Sequence, residues 1–325
     1  MNAERLQRWA NPKLLLVATN LADEAVLTCE AALQARQSGA KVLLVHVLRP
    51  PSLQANLSPA PNSRILTSRG AAAWDVLLRM AKMIEWQGAL CEPVLLEGEP
   101  VEQISALIER RGVDRVLVAT RSGRGLERLL AGSIADALIG ALDVPVTLIG
   151  PRARMNPFRG VAGGQVLLTL SLEHDRADCV EFAASLAFGR RSALTLMHVL
   201  DVSGFDDAEK ETARGVAHAS IVSLMHHVKG PLPPFSITIR EGPPHLEILR
   251  ADVCPGWDII IMGSPSPGIV SKLLGASVAH RVIAAANCPV ITLRNTVAKR
   301  LTVIPNDAEL RFLDREEMMA SGRNH

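Results

Sequence analysis

The chain contains one internal duplication, and this feature constrains its fold more than any other. Residues 98–149 align with residues 242–293 at an offset of 144 positions and without a gap. Of the 52 aligned pairs, 14 are identical, against roughly 3 expected by chance for such a composition. The chain is therefore expected to contain two copies of one fold.

The earlier part of each copy aligns less regularly. Residues 42–47 correspond to 194–199, and both runs end in His-Val. The first copy has a longer connection at 49–62, rich in Pro and Ser, which we interpret as a loop. We place a first domain at 1–150, a linker at 151–163, a second domain at 164–297 and a tail that belongs to neither copy at 298–325.

Each copy alternates short apolar runs with helical patterns. The runs show little polar alternation, as expected for strands that helices cover on both faces. Between them, apolar residues recur with the spacing of one helix face, and glycines are predicted to end four helices in a left-handed conformation. The apolar positions are Trp74, Leu77, Leu78 and Ala81, then Ile221, Leu224, Met225 and Val228; the glycines are Gly39, Gly88, Gly189 and Gly230.

This pattern predicts an α/β protein with two tandem doubly wound sheets, each of five parallel strands joined by right-handed crossovers. The ligand crevice of such a sheet lies at the carboxyl ends of the strands. The last strand of each copy, at 144–149 or 288–293, begins with a Pro in its second position and is typical of a sheet edge. Because exposed apolar edges need covering, we expect these two strands to pair and to join the halves as a pseudo-dimer.

Composition and charge exclude several classes of function. The formal net charge of +2 gives no concentrated basic field, so no nucleic-acid or membrane-surface role is expected. The five cysteines form no C-x-x-C pair, which favours a reducing compartment. The N-terminus lacks the apolar core of a signal peptide, and no apolar run approaches the ~18–20 residues that span a bilayer. We therefore expect a cytoplasmic protein.

The usual signatures of enzymes are missing from the sequence. It contains no G-x-x-x-x-G-K-[ST] and no G-x-S-x-G, and neither first βα turn carries G-x-G-x-x-G. No set of acid, base and nucleophile and no metal-ligand spacing stands out. We assign no catalytic and no metal-binding residue.

The segment after the fourth strand of each copy carries the most specific pattern. It reads ATRSGRGLERLLAGS at 119–133 and GSPSPGIVSKLLGAS at 263–277. A Gly-x-Pro before the third helix and a Pro-Val in the last strand accompany it in both copies. With these segments the chain resembles the universal stress protein family, whose loop reads glycine, two residues, glycine, nine residues, then Gly-Ser or Gly-Thr. The resemblance covers residues 12–150 and 164–296.

The resemblance implies a Rossmann-like fold of the adenine nucleotide alpha hydrolase type. In nucleotide-binding members, an Asp ending the first strand and a residue after the second strand hold the adenosine of ATP, and the Gly-rich loop wraps the phosphates. Carried over by position, the adenosine contacts fall on Asn20 and Val47 in the first half and on Ser171 and Val199 in the second. The phosphate contacts fall on Ala119, Ser122, Gly132 and Ser133, and on Gly263, Ser266, Ala276 and Ser277.

The chain departs from the family pattern at this site. Asn20 and Ser171 replace the Asp, and each loop keeps one of three glycines, Gly132 or Gly263. A Cβ at a left-handed position costs roughly 1–2 kcal/mol and crowds a phosphate. The second loop also contains two prolines, which have no N–H to donate, whereas the first loop contains arginines that suit phosphate.

Several residues have two interpretations. Ser133 and Ser277 either contact a phosphate or bond to the backbone at a helix start. His46 and His198 close the second strand of each copy, where a structural, hydrogen-bonded role is favoured over a ligand role. Asp114 and Asp258 open the fourth strands and are expected to fix a turn.

Three hypotheses remain open. The first is a non-enzymatic tandem universal stress protein that needs no cofactor and acts through ATP- or AMP-sensitive contacts or through protein partners. The second is a slow ATP hydrolase or phosphotransferase that uses the same crevice. The third is a scaffold without a ligand. A further homodimer is compatible with each of them.

Overall fold

The computed structural model describes residues 3–22, 24–49, 62–120, 134–154, 164–173, 177–252, 256–264 and 277–294. Most of the inserted loop at 49–62, most of the linker at 151–163 and the tail at 298–325 lie outside the described residues, as do both Gly-rich loops except for their ends. The predictions made for those segments therefore stay predictions.

The described strands and helices alternate in each half, as the apolar pattern predicts. The strands of the first half are β1 (Leu14–Ala18), β2 (Lys41–Leu48), β3 (Cys91–Glu97), β4 (Arg115–Ala119) and β5 (Val146–Ile149). Those of the second half are β6 (Gln165–Leu170), β7 (Ala193–Leu200), β8 (Phe235–Glu241), β9 (Ile259–Ser264) and β10 (Val290–Arg294).

The helices lie between these strands, with one additional helix at the N-terminus. The first half contains α1 (Ala3–Ala10), α2 (Glu24–Ser38), α3 (Asn62–Trp86), α4 (Pro100–Arg111) and α5 (Ile134–Ala141). The second half contains α6 (Ala177–Gly189), α7 (Asp207–His226), α8 (Pro244–Ala251) and α9 (Val278–Ala285).

Each half forms a doubly wound parallel sheet. The strand order is β3-β2-β1-β4-β5 in the first half and β10-β9-β6-β7-β8 in the second. In each half the chain runs outward from the first strand on one side and then continues on its other side. This reversal creates the switch point at which ligands bind in such sheets.

The last strands of the two halves pair with each other, as predicted from their apolar edges. β5 and β10 are antiparallel, with Thr147 opposite Ile291, Val146 opposite Thr292 and Leu148 opposite Val290. This pair joins the two sheets into one of ten strands. The predicted pseudo-dimer is therefore confirmed, and both inner edges are covered by hydrogen bonds rather than left exposed.

The core is aliphatic and lies on both faces of the sheet. In the first half, Leu15 and Val17 of β1 face Leu77 and Met80 of α3, and all four are fully buried. Residues on the opposite face, such as Leu16, belong to a second cluster that continues through the strands and helices of the second half. The alternation of neighbouring strand residues between two buried faces explains why the runs show no polar alternation.

The N-terminal helix α1 was not expected from the sequence. It packs on α6 of the second half and buries Leu6, Trp9 and Ala10. The guanidinium of Arg115 is fully buried beneath it and donates to the carbonyl oxygens of Trp9 and Ala10. The helix therefore provides a second link between the two halves, in addition to the β5–β10 pair.

Asp114 and Asp258 were expected to fix a turn; in the structure their carboxylates bond to the backbone at the start of another strand. Asp114 Oδ2 accepts hydrogen bonds from the backbone N–H groups of Lys13 and Leu14 at 2.8 and 3.1 Å. Asp258 Oδ2 accepts from the N–H of Gln165 at 2.9 Å. Each carboxylate thus ties the beginning of the fourth strand to the beginning of the first.

Candidate functional site

A cavity of about 360 Å³ lies at the carboxyl ends of β1, β2 and β4, the position that the doubly wound topology predicts. It contains three of the predicted site residues, Asn20, Val47 and Ala119. Its lining is mainly apolar with a few polar side chains, which is typical of small-molecule sites. The lining residues are Ala18, Thr19, Asn20, Leu27, Val45, His46, Val47, Arg49, Pro100, Ile104, Val118, Ala119, Thr120, Ile134 and Ala135.

The turn after β1 places Asn20 at the mouth of this cavity. Thr19 Oγ1 accepts from the N–H of Leu21 at 2.9 Å, and Asn20 Oδ1 accepts from the N–H of Ala22 at 3.0 Å. Leu21 has a φ of 66°, a left-handed conformation that costs a non-glycine residue about 1 kcal/mol or more. The turn is therefore held by two side chains, and the Asn20 amide also carries an NH₂ group that can donate to a ligand.

His46 fixes the end of β2 against the end of β1. Its Nδ1 lies 2.8 Å from the carbonyl oxygen of Thr19. In the second half, His198 Nδ1 lies at the same 2.8 Å from the carbonyl oxygen of Leu170. Each histidine therefore makes the backbone hydrogen bond that the structural interpretation predicts, and Val47, the residue after His46, lines the cavity.

The end of β4 and the start of α5 form the other side of the cavity. Ala119 ends β4, and the buried Thr120 that follows donates from Oγ1 to the carbonyl oxygen of Ile149 at 3.2 Å. α5 begins at Ile134, so its first turn of N–H groups lies beside the cavity. Such a turn attracts anions through its dipole and its unsatisfied donors. Ser122, Gly132 and Ser133 lie outside the described residues.

Arg49 and Pro100 are among the cavity residues that were not predicted from the sequence. Arg49 follows β2 directly and forms an exposed ion pair with Glu99 at 3.2 Å. Pro100 begins α4 and brings an apolar surface to the cavity floor. Both could have been found from the sequence, because Arg49 lies two residues after Val47 and Pro100 belongs to the Gly-x-Pro motif. In the sequence that motif indicated the family resemblance and was not assigned to the site.

The second half places its corresponding residues at the same edge of its own sheet. Ser171 follows β6 and is exposed, whereas Val199 in β7 and Gly263 in β9 are half-buried. Ser277 is the N-cap of α9, where its hydroxyl accepts from the N–H of His280 at 3.3 Å and lies 2.6 Å from His280 Nδ1. The Ser277 oxygen thus accepts a backbone hydrogen bond at the start of a helix. Ser266 and Ala276 lie outside the described residues.

A larger cavity, of about 500 Å³, lies at the opposite end of the first-half strands. Its walls include Trp9 of α1, Glu109 of α4 and Asp143 in the turn before β5. None of the predicted site residues lines it. The topology and the residue chemistry both favour the smaller cavity as the functional site.

Within the described part of the chain, no three His, Cys, Asp or Glu side chains are grouped as a metal site would require. Within the same residues, no helix is long and apolar enough to cross a membrane.

Comparisons with known proteins agree on one family. The model of the universal stress protein family matches residues 12–150 and 165–294. A universal stress protein from Methanocaldococcus jannaschii is 32% identical over 87 residues, which cover 27% of this chain and 49% of that relative. The chain thus spans about half the length of this curated relative.

Solved structures share the fold over most of the chain. One is a universal stress protein from Archaeoglobus fulgidus, with a TM-score of 0.64 and 19% identity, covering 87% of this chain and 96% of that one. Another is a functionally unknown protein from Pseudomonas aeruginosa PAO1, with a TM-score of 0.60 and 14% identity, covering 89% and 95%. At these identities the likeness shows the fold alone.

Proposed function

This chain belongs to the universal stress protein family, and from that premise we propose that it is a cytoplasmic stress-response protein that binds an adenine nucleotide, ATP or AMP, in its first half. The observation that carries the proposal is the cavity at the switch point of the first sheet, which brings Asn20, Val47 and Ala119 together. Its volume of about 360 Å³ is within the range of small-molecule sites.

The cavity residues suit the parts of a nucleotide. Val45 and Val47, with Ile104 below them, offer apolar surface to a base. Asn20 lies at the mouth and can donate its amide N–H to a ribose hydroxyl, as a neutral replacement for the family's Asp. The N-terminus of α5 and the arginines of the preceding loop, Arg121 and Arg124 in the sequence, favour phosphate.

The second half suits a nucleotide less well. Its loop contains Pro265 and Pro267, which lack the N–H donors that a phosphate needs. The hydroxyl of Ser277 already contacts His280, and Ser171 is shorter than the Asn at the corresponding position of the first half. We therefore place the nucleotide in the first half only.

We also propose that the protein is not an enzyme. The described residues that line the cavity include no carboxylate, whereas metal-assisted phosphate chemistry requires carboxylates to hold the ion or to activate water. Nucleotide binding would then act through the shape of the protein and its contacts with protein partners, and no further cofactor is needed.

A cavity-filling variant tests the site. Val47→Trp places a large side chain in the first cavity, and Val199→Trp is the matched control at the corresponding position of the second half. The wild type and Val199→Trp should gain about 2.7 kcal/mol of unfolding free energy at 100 times the dissociation constant of ATP or AMP, whereas Val47→Trp should gain nothing. Thermal unfolding with and without nucleotide measures this, and the unliganded midpoints show whether each variant folds.

Three outcomes would contradict the proposal. Equal stabilisation of both variants would place the nucleotide elsewhere. Absence of any stabilisation of the wild type at millimolar ATP and AMP would leave the ligand-free scaffold. Release of phosphate from ATP in the presence of Mg²⁺, lost in Val47→Trp, would establish the ATP hydrolase instead.

A further inference from the structure

Two residues at the same position of the two copies contact each other. Asp136 in the first turn of α5 and His280 in the first turn of α9 are separated by 144 positions, the offset of the duplication. His280 Nε2 lies 3.0 Å from Asp136 Oδ1. When equivalent residues of two copies meet each other, they lie on the two-fold axis that relates the copies.

A second contact confirms the position of this axis. Thr147 of β5 lies opposite Ile291 of β10, and these two residues are also separated by the offset of the duplication. The flanking pairs are arranged symmetrically about them. The pseudo-two-fold axis therefore passes through the middle of the β5–β10 pair and through the contact between Asp136 and His280.

A residue on such an axis would face a copy of itself if two identical halves paired. Its charge therefore affects whether a half can pair with an identical half. In a symmetric pair of first halves, Asp136 would face a second Asp136, and in a symmetric pair of second halves His280 would face a second His280. Two carboxylates, or two imidazolium groups, repel each other at such a distance. The observed pair is complementary because the two copies have diverged at this position.

The surroundings hold the His280 ring in place. Ser277 Oγ lies 2.6 Å from Nδ1, so both ring nitrogens have a partner. Only 30% of the His280 side chain and 24% of the Asp136 side chain are exposed. The hydrogen bond to Asp136 raises the pKa of His280, partly opposed by burial. Arg281 follows His280 on α9, and its Nη1 lies 3.3 Å from Nε2 of His245 in α8.

We propose that Asp136 and His280 form a partner-selecting contact, which favours pairing of the first half with the second half and disfavours pairing of like halves of two chains through the same strands. Selection of this kind needs an unfavourable contact in the wrong pair as well as a favourable one in the right pair. This contact does not depend on nucleotide binding.

Exchange of the two residues tests the proposal. Asp136→His puts two imidazoles on the axis, His280→Asp puts two carboxylates there, and the double variant restores a complementary pair in reverse. Each single variant should lower the equilibrium constant for folding about fivefold, and the double variant should recover most of that loss. Urea unfolding of the full chain at pH 5 and pH 8 measures the three variants and the wild type.

The pH dependence separates charge pairing from simple packing. The pKa of His280 is raised in the fold, so the contribution of its positive charge to stability is present below the ordinary value near 6.5 and is lost as pH rises through the raised value. Asp136→His should therefore lose more free energy of unfolding at pH 5 than at pH 8, because both imidazoles are charged at pH 5. The loss in His280→Asp should also be greater at pH 5 than at pH 8, since the variant removes the charged pair that the wild type has at the lower pH, whereas its two carboxylates are ionised at both values.

Arg281→Gln is the matched control, because it changes a charge on α9 away from the axis. It should not show this pH dependence. The proposal would be overturned if the double variant lost as much free energy of unfolding as the two single variants together. Single variants that share the pH dependence of the wild type would overturn it too.

Discussion

Arg115 is a charged residue in a place where charge is costly. Its side chain is fully buried in the seam between the halves, and Phe182 of α6 lies 5.7 Å from it, measured to the ring centre. Burial is the main reason that its pKa is lowered to about 9, with the charge of Arg190 next. The guanidinium stays in place because α1 and the side chain of Gln34 supply oxygen acceptors.

Arg115→Met should lower the free energy of unfolding by about 2 kcal/mol, because it leaves the buried carbonyl oxygens of Trp9 and Ala10 without their donor. The second half provides a control, since the corresponding residue is the fully buried Ile259. Ile259→Met conserves volume and should cost less than about 1.5 kcal/mol. Urea unfolding measures both, and equal losses would show that Arg115 acts only by filling space.

The sequence predicted part of the candidate site at the level of residues. Asn20, Val47 and Ala119 could be placed in one cavity because each follows or ends a parallel strand, and the carboxyl ends of such strands meet at one edge. Thr120 also lines the cavity and donates to the carbonyl oxygen of Ile149, but its place could not be predicted in this way. Its role depends on which strand lies beside β4, and the motif does not contain that information.

At the scale of helices and strands, the sequence correctly predicted features that depend on a single residue, such as a glycine that ends a helix. Gly39 and Gly88 have φ values of 71° and 86°, as expected for residues that end a helix in the left-handed region. The same prediction was wrong for Gly189 and Gly230, which are not among the residues of positive φ. After α6 the left-handed residue is Arg191, with a φ of 54°, because that helix continues through Gly189.

Helix α1 is an element that local sequence patterns could not predict. It has a single turn of apolar side chains, and its stability depends on the surface of α6, which is distant in sequence. Short helices are marginal in water without such packing. Periodicity within eight residues could not reveal that partner.

The N-terminus of α7 offers a prediction at this scale. Asp206 Oδ1 accepts from the N–H of Glu209 at 2.8 Å, and Glu209 Oε2 accepts from the N–H of Asp206 at 3.0 Å. This capping box predicts that Asp206→Ala lowers the free energy of unfolding by about 1 kcal/mol. Asp207→Ala, which removes a fully exposed carboxylate beside it, should cost less than half as much. Urea unfolding compares the two, and equal effects would contradict the role of the cap.

At the scale of the whole molecule, duplication explains both the symmetry and its loss. The offset of the copies predicted two like sheets, and the apolar last strands predicted how they join. The sequence did not indicate which residues would meet on the axis, because that depends on the register of β5 and β10. Once the halves were joined in one chain, each position could diverge separately, as Asp136 and His280 have done.

The two crevices have also diverged from each other. The number of nucleotides bound per chain tests most directly whether only the first crevice binds a nucleotide. Isothermal titration of the full chain with ATP should give a stoichiometry of one, since only the first half combines Asn20 with a loop free of proline. A stoichiometry of two would show that the second crevice has kept its function. A stoichiometry of zero would show that neither crevice has.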